Sequence, residues 1–266
     1  MLFIPTENTA AKTSHRKIIT AQKLSVVRRY SLRLAFSSAW MRIRMKFWPL
    51  PLQRHLRKID ETAVEDIRRR CYENKEMGAS TQGLKYLNFR KYLPVNVRRV
   101  QELGLDKAAP KRILDLGSGA GYFLFACKNF GHDCLGLDTD YVPAYAAMMQ
   151  SMEIPRVTWR IEPFEALPDM GEKFDMITSF QMLFNRRQPS GRWEAAEWDF
   201  FLRDLLERLK ADGSIFLRFN VVHKVCYITQ ELAEFFHARG GVVRRTSVHF
   251  DLSNARAKAK MIAAMA

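Results

Sequence analysis

Short apolar runs and longer amphipathic stretches alternate along most of this chain, from Lys111 to Leu252. Ile113-Leu114-Asp115-Leu116 reads as a first strand, and Tyr122 to Cys127 as the helix after it. Asp133 to Asp138 is a second strand, followed by a helix over Tyr141–Met152 that Pro143 interrupts early. Val157–Ile161 predicts a third strand, Lys173–Phe180 a fourth and Ser214–Phe219 a fifth. Trp198–Lys210 and Thr229–Arg239 have the length and period of helices, with Ala211-Asp212-Gly213 as a turn and Gly240-Gly241 as a stop. Val242–Leu252 holds one or two further strands. Strands that take turns with helices predict the α/β class: a doubly wound, mainly parallel sheet of five βα repeats, flanked by helices.

Upstream the pattern is helical. Ile59, Ala63, Ile67 and Cys71 recur at every fourth position, 78–83 is a loop, and Leu84–Leu103 reads as a helix interrupted at Pro94 and stopped by Gly104. Three regions follow: a basic N-terminal extension over 1–60, a helical cap over 61–109, and a Rossmann-like domain over 110–266. Within the cap, Tyr86, Arg90, Lys91 and Tyr92 are candidates to face a ligand, or ordinary solvated helix positions.

Charge sharpens this division. The chain has a formal net charge of +15, and residues 1–60 carry 13 Lys/Arg against two acids, whereas the rest carries 30 against 26. The basic character therefore belongs mainly to the extension, which weakens any argument from overall charge to a nucleic-acid substrate. Arg28–Lys58 mixes Arg with Leu, Trp, Met and Phe before Pro49 and Pro51. Three readings stay open: an interfacial basic helix on anionic lipid, an organelle transit peptide, and a helical extension packed on the domain. Uncharged stretches fall well short of a membrane span. The four cysteines form no Cys-x-x-Cys pair and no zinc spacing, so a reducing compartment and no metal are expected. The expected location is the cytoplasm, with the extension as a candidate peripheral membrane contact.

The first strand runs into Gly117-Ser118-Gly119-Ala120-Gly121, with Asp115 two residues before the first glycine. Strand, glycine turn and helix open a nucleotide-binding βαβ unit, and the helix start presents unpaired N–H groups. The spacing is not the dinucleotide fingerprint, and an acid beside a pyrophosphate is unfavourable. The stretch resembles motif I of the class I methyltransferases that use S-adenosylmethionine. The resemblance covers about residues 111–220. It implies that the glycine loop, with Ser118, packs against the amino-acid end of the cofactor and that Asp115 lies near its ammonium. Asp138, at the end of the second strand, resembles the family's ribose-binding acid; a carboxylate accepts both hydroxyl bonds. Thr139 beside it, Phe164 in the loop that meets the adenine, and Ser179 at the end of the fourth strand complete the expected set. The usual adenine-binding acid falls on Pro163, so Glu162 or the backbone and ring of Phe164 must replace it. Phe174-Asp175 resembles the opening of the family's fourth strand, and the family sheet has seven strands, the last of which this chain could lack or shorten.

The implied reaction is in-line methyl transfer, in which the protein aligns an acceptor with a sulfonium methyl. Candidates near the acceptor are Gln181, Asn185, Asn220 and His223, of which His223 is the best general base by its ordinary pKa. The Arg- and Trp-bearing insertion over 186–198 either lines a substrate path or packs on the cap. No Asn/Asp-Pro-Pro-Tyr/Phe follows the fourth strand, and no cysteine sits where a pyrimidine-attacking nucleophile is expected. A small metabolite, or a glycan or lipid-linked acceptor, is the first expectation. RNA is second, and a non-catalytic binding module through the basic extension is a third.

Overall fold

The computed structural model describes residues 50–73, 84–182, 184, 191–222, 225–226 and 228–264. Its contacts divide into two compact units, Met1–Gln53 and Arg54–Ala266. The cap therefore belongs to the same unit as the sheet. Most of the basic extension lies outside the described residues.

Helix α1 spans Leu50–Arg57 and α2 spans Glu61–Glu73. The Asp60 carboxylate accepts from the N–H groups of Thr62 and Ala63, which caps α2. A 3-10 turn over Lys85–Leu87 precedes α3, Phe89–Glu102, whose cap is Asn88 accepting from Lys91 N. The helix expected over Leu84–Leu103 thus starts later. It also runs through Pro94 rather than breaking there. Proline removes one backbone bond, and the burial of Leu93, Val97 and Val100 on the inner face holds the helix across it.

The strands are β1 Arg112–Leu116, β2 Asp133–Asp138, β3 Arg156–Thr158, β4 Phe174–Met182, β5 Leu209–Phe219, β6 Val221–Val222, β7 Val225–Cys226, β8 Val242–Arg244 and β9 Ser247–Asp251. Seven of them form the main sheet in the order β3-β2-β1-β4-β5-β9-β8, while β6 and β7 make a separate pair. β1 to β5 are parallel to their neighbours, and β9 runs antiparallel to both β5 and β8. Helices α4 Tyr122–Asn129, α5 Pro143–Ser151, α6 Ala195–Glu207 and α7 Gln230–Ala238 make the crossovers, and α8 Ala255–Ala263 follows β9.

Several expectations are corrected. All seven strands are present, the last two as a hairpin at the sheet edge. No helix joins β3 to β4, because residues 159–173 run as loop and turn, so the βα repeat fails once. β3 ends at Thr158; Trp159 N still donates to Asp138 O, after which the chain leaves the sheet. The predicted turn Ala211-Asp212-Gly213 is an irregularity inside a longer β5, where the register with β4 shifts between Phe174 and Met176. A side chain on Gly213 would meet Leu209 and the carbonyl of Asp175. Pro143 opens α5 at its first turn instead of interrupting it, where its missing N–H costs nothing.

Behind the sheet, Trp198, Phe201, Leu202 and Phe236 pack on Ile215, Leu217, Val248 and Phe250. Trp193 meets Phe184 and Trp198 edge to face with ring centroids 5.2 Å apart, and Phe184 lies tilted against Trp198 at 4.7 Å. The two tryptophans of the insertion are therefore core residues and line no substrate path. Arg186 and Arg187 lie outside the described residues.

Candidate functional site

In the sheet order, β1 lies between β2 and β4, where the winding reverses; such a switch point opens a crevice at the carboxyl ends of the strands. β1 ends at Leu116, and the chain turns through Gly117, Gly119 and Gly121, all at positive φ, into α4. A side chain at 117 would press on Met182, whereas a Cβ at 119 would meet nothing within 4 Å. The loop is thus packed at its base and open at its crest. Gly117 N and Ser118 N both donate to Leu137 O at 2.8 and 3.2 Å, which ties the loop to the end of β2.

Two carboxylates stand at this crevice. Asp138 accepts from Gly119 N at 2.6 Å and from Thr139 N at 2.7 Å. Burial raises its pKa, against the pull of those two N–H groups and of Arg156. Asp115 is 3% exposed and accepts from the Thr178 hydroxyl at 2.7 Å. Burial pushes it up to about 7, with Thr178 and Arg99 acting in the opposite sense.

The opposite wall comes from the cap. Tyr86, Tyr92, Asn96 and Arg99 close over the glycine loop, and a cavity of about 510 Å³ lies between. The Tyr122 hydroxyl donates to Tyr86 O at 2.6 Å and joins the cap to α4. Arg99 donates to Asn96 Oδ1 and to Gln181 Oε1, both at 2.9 Å, and its guanidinium lies 4.5 Å from the centre of the Phe180 ring. Burial lowers the Arg99 pKa, with Arg218 adding to the effect and Asp115 opposing it. Among the described residues Arg99 makes no ion pair. Both of its hydrogen bonds go to neutral amide oxygens.

Asp115, Gly117, Ser118, Gly119, Gly121 and Asp138 all line this one cavity, together with Gln181 and Asn220. Thr139 contributes its N–H to Asp138, and its side chain is outside the lining. Ser179 is fully buried beneath the cavity, again outside the lining. Phe164 is 58% exposed at positive φ, with its ring beside Phe200 instead of the cavity. Glu162 pairs with Arg160. His223 and Asn185 lie outside the described residues.

Of the four cap candidates, Tyr86 and Tyr92 reach the cavity; Arg90 is buried in an ion pair with Glu61, and Lys91 is exposed. Asp175 sits at the far end of β4, where it takes Arg112 N and Lys210. Asn96, Arg99 and Tyr145 also line the cavity, and none of them stands out in the sequence as a site residue. Tyr92, Asn96 and Arg99 recur at i, i+4 and i+7, a polar stripe along α3 that is the sequence signal for this wall.

The sequence model of a family described as "Methyltransferase domain" matches residues 86–240, more than half of the chain. The chain belongs to this methyltransferase-domain family. A ubiquinone biosynthesis O-methyltransferase from Chelativorans sp. (strain BNC1) is 28% identical over 144 residues, 50% of this chain and 53% of that one. A tRNA U34 carboxymethyltransferase from Pseudomonas fluorescens (strain Pf-5) is 35% identical over 83 residues, 30% of this chain and 26% of that one. The chain thus spans about half or less of the length of these relatives. Among solved structures, Streptomyces venezuelae DesVI is similar with a TM-score of 0.41 and 17% identity, over 55% of this chain and 59% of that one.

Methyltransferases of this domain family use S-adenosylmethionine, and that is the cofactor here. The residues present fit it. The methyltransferase cavity offers a buried carboxylate for an ammonium, a guanidinium without an ion pair for a carboxylate, and an open glycine crest beside Asp138 for a nucleoside.

Proposed function

We propose that the chain catalyses methyl transfer from S-adenosylmethionine to a small metabolite or to a glycan or lipid-linked acceptor. One observation carries the reading. A single cavity opposes a desolvated carboxylate, Asp115, to a guanidinium without an ion pair, Arg99, with Asp138 on the same floor. That arrangement matches a zwitterionic amino-acid tail joined to a ribose. The bound cofactor supplies an activated methyl on a sulfonium. Asp115 takes the ammonium, which holds its carboxylate in the charged form that burial alone disfavours. Arg99 takes the tail carboxylate, and Asp138 the ribose hydroxyls. Met182 packs on Gly117 and fixes the loop that these groups share.

The acceptor enters where β4 and β5 end, at Gln181 and Asn220. The wall there also carries Tyr86 and Tyr92, whose faces suit a sugar or a planar ring. His223 remains the proposed general base. RNA is the second reading; the basic N-terminal extension and the Arg-bearing cap offer cations to phosphates, and one similar protein is a tRNA U34 carboxymethyltransferase. A methylation assay with labelled cofactor on metabolite, glycan and RNA pools tests the proposal. Label in the metabolite or glycan pool is expected. Label confined to RNA overturns the acceptor class, and no label in any pool, with the cofactor bound, leaves the non-catalytic binding module in its place.

A further inference from the structure

Three non-glycine residues have positive φ among the described residues, Glu153, Phe164 and Gln181, and only Gln181 lines the cavity. Glycine adopts such a φ without steric cost, and glutamine does not. The side chain is exposed, so core packing does not explain its presence. Its hydrogen bonds do. The bent backbone aims the main-chain carbonyl at the end of β5, where it accepts from Asn220 Nδ2 at 2.8 Å. The side-chain carbonyl faces α3 and accepts from Arg99 Nη2 at 2.9 Å. One residue at the end of β4 thus links the cap to two strands around the cavity. Asn96 holds the other terminal nitrogen of Arg99, again through a neutral oxygen at 2.9 Å. Two amides therefore fix the guanidinium in direction without neutralising its charge. A carboxylate at either position would neutralise it.

We propose that Gln181 is a positioning residue: it holds Arg99 toward the cofactor's carboxylate and so lets the cavity select adenosyl ligands that carry the amino-acid tail. The proposal rests on the reading of this cavity as the cofactor site. Calorimetry on the full chain tests it with two ligands, S-adenosylhomocysteine and 5′-methylthioadenosine, which shares the thioether nucleoside and lacks the tail. The wild-type chain should prefer the homocysteine compound by about tenfold or more. Gln181→Gly should relieve the backbone and keep or raise the melting temperature. It should still weaken the homocysteine compound by about tenfold and leave methylthioadenosine unchanged. Gln181→Glu should weaken the same ligand further, because its carboxylate occupies Arg99. Loss of both ligands in equal measure, or a selectivity ratio that neither variant moves, overturns the role of Gln181 while the cofactor site stands. A wild-type chain that binds neither ligand overturns the site itself.

Discussion

Replacing Asp115 with asparagine separates the cost of this cavity from its use. Asp115 is buried at 3% exposure and its pKa rises from 3.8 to about 7, with burial as the main cause. Between those two values the folded protein binds a proton that the unfolded chain has lost, so stability falls as pH rises toward 7 and is level above it. At 1.36 kcal/mol per unit, the charged carboxylate costs the empty fold about 4 kcal/mol at pH 8 and less than about 2 kcal/mol at pH 5. The amide of the variant keeps an oxygen to accept from the Thr178 hydroxyl, a bond of 2.7 Å in the wild type, and carries no charge to desolvate. Asp115→Asn should therefore melt several degrees higher than wild type at pH 8, with the difference at least halved at pH 5. The same variant should bind S-adenosylhomocysteine about tenfold or more weakly, because it loses a charge-assisted bond to the ammonium. Thermal melts across this pH range and calorimetry at pH 8 read both effects. A stability gap independent of pH, or a variant that melts below wild type at pH 8, would refute the burial argument. Unchanged affinity would remove Asp115 from the cofactor.

Asp138→Asn should behave differently: it should weaken S-adenosylhomocysteine and methylthioadenosine alike, by about tenfold or more, since both carry the ribose; calorimetry that shows loss of one ligand only contradicts its assignment. Gly119→Ala should lower stability by about 1–2 kcal/mol through backbone strain alone, because nothing lies within 4 Å of the added carbon. Gly121→Ala should cost about 1–3 kcal/mol more, because there the carbon comes 2.7 Å from Met149 Cγ; denaturant melts of the two variants give the order. If the basic extension contacts lipid, the full chain should float with anionic liposomes at low salt and a chain beginning at Leu50 should not; equal flotation ends that reading.

Much of this protein is legible in the order of its residues. The strand, glycine loop and helix at 113–127 are local features, as is the acid at the end of β2, and local spacing specifies them. Backbone sterics favour glycine at 117, 119 and 121, and a period of two or of about 3.6 declares a strand or a helix wherever one face is buried. The parallel α/β class follows from that alternation. The failures share a cause as well. Trp193 and Trp198 look available to a substrate in the sequence because composition cannot say which side of the sheet an aromatic packs on. Analogy along the loop sets Phe164 at the adenine, but its position depends on how residues 159–173 leave β3. Arg99 is invisible as a site residue because an arginine on a basic helix is ordinarily solvated, and only the docking of α3 over β1 and β4 turns it inward against Phe180. The sequence alone therefore determined the nucleotide-binding unit, since short-range sterics and hydrogen bonding are written in adjacent residues. Only the tertiary structure decided that Asp115 is desolvated and faces a guanidinium without an ion pair across one cavity, because burial and long-range charge pairing exist only once distant segments have packed together.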